Sequence, residues 1–154
     1  MQPDLLYVVR HAKAGDRSAW VGDDRDRPLS GKGHAQADAL AERLATLACG
    51  TVVASPYLRC VQTVAPLAER LGTAVTTDER LAEGRGFDGT LELLATLPAG
   101  AVLCSHGDVI PDTMGALQRR GCRFVGAPDW RKGSVWVLTR VDGVVVEATA
   151  WPPP

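Results

Sequence analysis

Four short runs rich in apolar or β-branched residues, Leu5–Val9, Thr51–Ala54, Ala74–Thr77 and Ala101–Cys104, alternate along the chain with segments whose apolar residues recur at helical spacing. A strand covered on both faces reads as an unbroken apolar run, and neighbouring parallel strands need a crossover such as a helix between them. The pattern therefore predicts a three-layer α/β/α arrangement with a mostly parallel sheet and right-handed crossovers. Two further runs, Ser134–Thr139 and Val144–Ala150, are joined by a turn at Asp142-Gly143 and read as a terminal hairpin that supplies an antiparallel edge.

The helices between the strands have recognisable starts. Ser30 is placed to cap a helix with Leu40, Leu44 and Leu47 on one side, and Ser55-Pro56 reads as the cap and first residue of a second helix ending near Leu71. A third carries Leu91, Leu94 and Leu97, and a fourth spans 109–119. Two stretches, 13–29 and 121–133, have no period. Loops of that length in a small domain are generally functional or disordered, and the first reads as the rim of a substrate site. Gly31 and Gly33 imitate part of a dinucleotide motif, but no strand precedes them immediately and Gln36 stands where a third glycine is needed.

Length and charge narrow the function classes. The 154 residues have the size of one domain, read here as residues 1–154. Lys plus Arg total 17 against 18 Asp plus Glu, so no global positive field draws the chain to a nucleic acid polymer or a membrane surface. No apolar run reaches the roughly 18 to 20 residues of a spanning helix, and no basic segment precedes Leu5 as in a secretory signal, so the expected location is cytoplasmic. Cys49, Cys60, Cys104 and Cys122 show neither CxxC nor zinc-ligand spacing and read as reduced thiols. Nothing in the sequence marks an oligomeric state.

In open α/β sheets, ligands bind outside the carboxyl ends of the strands. The polar residues that follow the apolar runs are Arg10 and His11, Ser55 to Arg59, the 78–85 loop, and Ser105-His106. Two of the three histidines occupy this edge; His34, in the first turn of a helix, reads as structural. Arg59 falls near a helix N-terminus, where a cation is disfavoured by about 0.3 to 1 kcal/mol, so an anion is expected to offset it. Two guanidiniums and two imidazoles suit a phosphoryl dianion, because arginine forks match tetrahedral oxyanions. A metal site built from His11, His106 and Asp108 is disfavoured, since the adjacent arginines repel a divalent cation; neither metal nor cofactor is expected. The Asp23-Asp24-Arg25-Asp26-Arg27 run reads as a solvated loop, with Arg25 or Arg27 placed to gate a charged substrate.

These residues resemble those of a known family. Val9-Arg10-His11 followed by a small residue, then Arg59, then Ser105-His106-Gly107, looks like the histidine phosphatase (phosphoglycerate mutase-like) superfamily. Arg10-His11-Ala12-Lys13-Ala14-Gly15, Arg27-Pro28-Leu29-Ser30, Ser55-Pro56 with Arg59-Cys60 and Gln62-Thr63, and Arg131-Lys132-Gly133-Ser134 are similar to its small SixA-type phosphohistidine phosphatase branch. They are also similar to the phosphatase-like half of mycobacterial MutT-type Nudix proteins, although no Nudix box is present.

The resemblance implies a phosphoglycerate mutase-like fold, His11 as phosphoryl acceptor, and Arg10, Arg59 and His106 as phosphate ligands. Glu83 is the best match to the family's proton donor, with Asp108, Asp16 and Glu79 left as alternatives. The chain departs from the family at Ala12, where most members have glycine, and at Gly107, where the acid-phosphatase branch has aspartate. The implied activity is a metal-independent phosphatase acting on a phosphomonoester, a nucleotide phosphate or a protein phosphohistidine, so its partner is a phosphorylated small molecule or a phosphohistidine protein. A non-catalytic phosphate-binding or regulatory module and a phosphotransferase of the mutase kind are the alternatives.

Overall fold

The computed structural model describes residues 3–154. Its sheet has seven strands: β1 (Asp4–Arg10), β2 (Val52–Ala54), β3 (Thr76–Thr77), β4 (Val102–Ser105), β5 (Arg123–Val125), β6 (Val135–Val141) and β7 (Val144–Trp151), in the order β3-β2-β4-β1-β6-β7-β5. The first four are parallel, β6 is antiparallel to β1 and to β7, and β5 runs parallel to β7. The fold is thus the expected α/β one, and the C-terminal hairpin extends the parallel core on its β1 side.

Alternation along the central strands creates two apolar layers. In β1, Leu6 and Val8 join Leu103, Met114, Trp136 and Leu138 on one face, whereas Tyr7 and Val9 join Val102, Cys104, Leu40, Leu44 and Leu67 on the other. Helices α1 (Gly31–Leu44) and α2 (Leu58–Leu71) cover the second face; α3 (Asp88–Thr96) and α4 (Val109–Arg119) cover the first. The split follows from strand order. From β1 the chain steps two places to β2, continues outward to β3, and then returns to insert β4 between β2 and β1. Crossovers of one hand that travel in opposite directions along a sheet place their helices on opposite faces. β1 and β4 therefore meet at a point where the chain changes direction, with Arg10 opposite Ser105.

Several boundaries differ from the sequence reading. The outermost strand on the hairpin side is β5, inside the stretch read as irregular; Arg123-Phe124-Val125 is too short to show a period, and its pairing with β7 is a tertiary choice. Leu47 lies past the end of α1 and is exposed. Only Thr76 and Thr77 of the third predicted strand pair, at the exposed opposite edge. Ser30 does cap α1, accepting the Gly33 N–H at 3.1 Å. Ser55 does not cap α2, which begins at Leu58 without a side-chain cap, because its hydroxyl is engaged by His106.

Candidate active site

Because β1 and β4 pair in register through Arg10 and Ser105, the residues that follow emerge side by side. The His11 N–H donates to the Ser105 carbonyl at 3.1 Å, and the His11 and His106 rings lie 5.5 Å apart, edge to face. Both rings are almost wholly buried. They sit beside a cleft of about 730 Å³ whose lining includes Arg10, His11, Lys13, Glu83, Gly107 and Lys132.

His11 is held by its Nδ1, 2.8 Å from the carbonyl of Ala12. A carbonyl only accepts, so Nδ1 carries the hydrogen, and in the neutral ring Nε2 keeps its lone pair. The ring is neutral because its pKa is lowered to about 3. Burial is the main cause; His106, Arg59 and Arg10 add to it, against the Ala12 carbonyl, which favours the protonated form. The Ala12 N–H donates to Thr63 Oγ1 at 2.9 Å, and the peptide whose carbonyl holds His11 is fixed through its other end, where the Lys13 N–H donates to Gln36 Oε1 at 3.0 Å. The Ala12 methyl packs with Leu29 and Ala37, so the departure from glycine is absorbed by a small apolar pocket.

His106 is held the other way round. Its Nε2 lies 2.8 Å from Ser55 Oγ and 3.6 Å from Cys60 Sγ, while its Nδ1 is buried without a partner. Ser55 Oγ accepts the Tyr57 N–H at 3.3 Å and keeps its own hydrogen available for donation to Nε2, and the Tyr57 ring packs edge-on against the imidazole at 4.6 Å. Cys60, Cys104 and Cys122 are buried free thiols, and Cys49 is half-buried.

Arg10 leaves the end of β1 with Nη1 donating to the Trp130 carbonyl at 2.5 Å and its buried Nε unpartnered. Its guanidinium lies across Gly107, where a Cβ would come within 2.6 Å of Nη2.

Arg59, the second residue of α2, is fully buried. Its guanidinium donates to the Asp24 carbonyl at 2.9 Å and to Asp24 Oδ2 at 3.0 Å, and Glu83 Oε1 lies 3.6 Å away, but Nε has no partner. Asp24 also binds Arg27 Nε at 2.8 Å, and Arg27 is itself buried. The 23–27 run is therefore not a solvated loop as read from its charges. It is a carboxylate clamp on a buried arginine, made by residues 35 positions apart in sequence. Arg25 turns outward to pair with Glu79 and stacks over Tyr57.

The four acid candidates separate. Glu83 lines the cleft and pairs with Arg17 at 3.1 Å. Asp108 also lines it, but its Oδ2 accepts the Gly84 N–H at 2.8 Å and so anchors the Glu83 loop, which Ser105 Oγ pins again through the Leu81 carbonyl at 2.7 Å. Asp16 lines the cleft as well and accepts from Ser18, and Glu79 is committed to Arg25. His34 is exposed on α1. Sequence reasoning passed over Ser55 as a partner of His106 and Asp24 as a partner of Arg59.

Comparison with known proteins points the same way. A model of the histidine phosphatase superfamily (branch 1) matches residues 6–89. An 8-oxo-(d)GTP phosphatase of Mycolicibacterium smegmatis is 37% identical over 155 aligned positions, covering 97% of this chain and 48% of that protein. The chain spans about half or less of the length of the curated relatives it matches. A solved structure from Nakamurella multipartitia, assigned to the SixA phosphohistidine phosphatases, aligns with a TM-score of 0.75 at 27% identity over 99% of this chain and 98% of that one. The protein histidine phosphatase SixA complexed with tungstate shares the fold, with a TM-score of 0.75 at 18% identity over 96% of this chain and 94% of that one. No helix among the described residues is long and apolar enough to cross a membrane. The matched segment runs from β1 through the Arg59 helix to the Glu83 loop, the segments that gather around His11, and the chain belongs to the histidine phosphatase superfamily.

Proposed function

We propose that the protein is a metal-independent phosphatase that transfers a phosphoryl group from a phosphorylated small molecule or a phosphohistidine protein to His11 Nε2, and from there to water. One observation carries this reading: a neutral imidazole with a free Nε2 lies among three buried donors, Arg10 Nε, Arg59 Nε and His106 Nδ1, that have no protein partner. Buried donors left unpaired cost roughly 1 to 3 kcal/mol each, more when charged, and a phosphoryl oxyanion satisfies them together.

In the first step the His11 Nε2–P bond forms as the bond to the leaving group breaks, and the leaving group keeps the electron pair. Arg10, Arg59 and His106 offset charge on the moving phosphoryl oxygens. Glu83 is assigned to protonate the leaving group and then to take a proton from the attacking water, which cleaves the P–N bond and restores the imidazole. The positive groups lining the cleft supply the charge stabilisation for which other phosphatases use a metal.

The test is hydrolysis of p-nitrophenyl phosphate in the presence of a chelator by the wild-type chain and by His11→Ala. Wild-type turnover with a loss of at least about 1,000-fold in the variant is expected, as for removal of a covalent nucleophile. Near-normal turnover by His11→Ala would overturn the proposal.

A further inference from the structure

The cleft is lined by five cations and by three carboxylates, Asp16, Glu83 and Asp108. Arg10, Lys13, Arg17, Arg27 and Lys132 all line it. Two of these are already matched: Arg17 pairs with Glu83, and Arg27 pairs with Asp24 and donates to the Gly15 carbonyl at 2.6 Å. Lys13 and Lys132 have no carboxylate within salt-bridge distance among the described residues.

These two lysines are set in place by a shared brace. Gln36 Oε1 accepts the Lys13 N–H at 3.0 Å, and the same Gln36 amide lies so close to Gly133 that a Cβ there would come within 3.3 Å of Nε2. The Lys13 carbonyl accepts from Ser30 N and Oγ, at 3.0 and 3.1 Å. On the other side, the Gly133 N–H donates to the Arg10 carbonyl at 3.1 Å, which fixes the Lys132 turn on the end of β1; Gly133 has a φ of +86°, a conformation a side chain would strain. Partial burial is the main cause that lowers the Lys132 pKa, and the charges of Arg10, Arg27, Lys13 and Arg17 add to it. Such a grouping is unfavourable on its own and is offset by an anion placed between its members.

We infer that Lys13 and Lys132 form a second anion subsite next to the phosphoryl pocket, and that it takes the penultimate phosphate of a substrate ending in a phosphoanhydride. The inference rests on His11 being the phosphoryl acceptor. Lys13 stands two residues beyond His11, and Gly133, which follows Lys132, is tied to the Arg10 carbonyl, so the subsite adjoins the groups that meet the terminal phosphoryl.

The substrate class is then a nucleoside or other di- or triphosphate terminus instead of a plain phosphomonoester. The His11 Nε2–P bond forms as the bridging P–O bond breaks, and the electron pair stays on the penultimate phosphate, whose added negative charge the lysines stabilise. That group leaves as an anion and needs no proton. Water then cleaves the P–N bond, which releases inorganic phosphate and restores the ring.

The test compares kcat/KM for adenosine diphosphate, inorganic tripolyphosphate and p-nitrophenyl phosphate, with chelator present. The wild-type chain is expected to prefer both anhydrides, and Lys13→Met and Lys132→Met each to reduce that preference about tenfold, the scale of one charged contact. Lys132→Arg is expected to restore most of it, which separates lost charge from lost folding. Turnover of p-nitrophenyl phosphate without any anhydride preference, or an equal fall on all three substrates in the lysine variants, overturns the subsite and leaves the His11 reading intact. Turnover of none of the three by the wild-type chain overturns both.

Discussion

The ends of β1 and β4 lie side by side, and each is followed by a buried histidine beside the cleft, yet the two rings are tethered by opposite nitrogens. His11 is tied down by Nδ1 to a carbonyl, which leaves Nε2 with its lone pair. His106 is tied down by Nε2 to a serine hydroxyl, and its Nδ1 remains buried without a partner. On the proposed reading, one residue type at one sheet edge serves as nucleophile in one case and as hydrogen-bond donor in the other, and the difference lies in the atom that faces each ring's fixed end. A carbonyl dictates the tautomer, because it only accepts; a hydroxyl adapts, because it donates or accepts.

The comparison can be broken by interfering with each tether and with the charges around it. The largest effect after loss of His11 itself is expected for Arg59→Ala, a fall of about 100- to 1,000-fold in kcat, the range for removing one preorganised electrostatic donor. Steady-state kinetics on p-nitrophenyl phosphate measures it, and a loss below threefold would mean that Arg59 serves only to hold Asp24. Ser55→Ala is expected to cost about tenfold, less than His106→Ala, since it removes the orienting partner and leaves the donor. Equal losses in the two variants would show that His106 contributes nothing beyond filling space around Ser55.

The third prediction concerns acid. His11 has a pKa of about 3 in the fold against about 6.5 in an unfolded chain, so between those values the unfolded state binds more protons. Stability from this source is complete above about pH 6.5 and is lost as pH falls toward 3. His11→Gln cannot take up that proton, so unfolding free energy should fall less steeply with acid in the variant, by up to about 1.4 kcal/mol per pH unit in the middle of this window. Chemical denaturation at pH 4, 5, 6 and 7 tests it; parallel profiles would show that His11 titrates normally. The smallest effect is expected for His34→Ala, whose exposed ring on α1 makes no contact with the cleft, and a loss matching that of His106→Ala would contradict the ranking of the three histidines.

Much of the strand-end cluster was readable from the chain, because each member directly follows an apolar run or opens the helix after it. Arg10 and His11 follow 5–9, His106 follows 101–105, and the topology places both at one edge. What escaped was long-range pairing. Asp24 reads as one carboxylate in a mixed-charge run, and nothing near it in sequence announces that Arg59 is buried beneath it. Ser55 carries every local mark of a helix cap, and the structure engages its hydroxyl with a histidine 51 positions away. β5 escaped for a related reason: Arg123, Phe124 and Val125 are too few to carry a period, and only the adjacent β7 makes them a strand.

The measurement that bears most directly on the two-tether account is the position of the covalent phosphate. The chain is mixed with a phosphodonor and quenched in alkali, which preserves phosphohistidine, and the modified peptide and ring nitrogen are identified by mass spectrometry and phosphorus NMR. The account predicts phosphate on Nε2 of His11 alone, formed and lost at rates compatible with turnover. Phosphate on Nδ1, phosphate on His106, or full turnover with no phosphorylated histidine would contradict it.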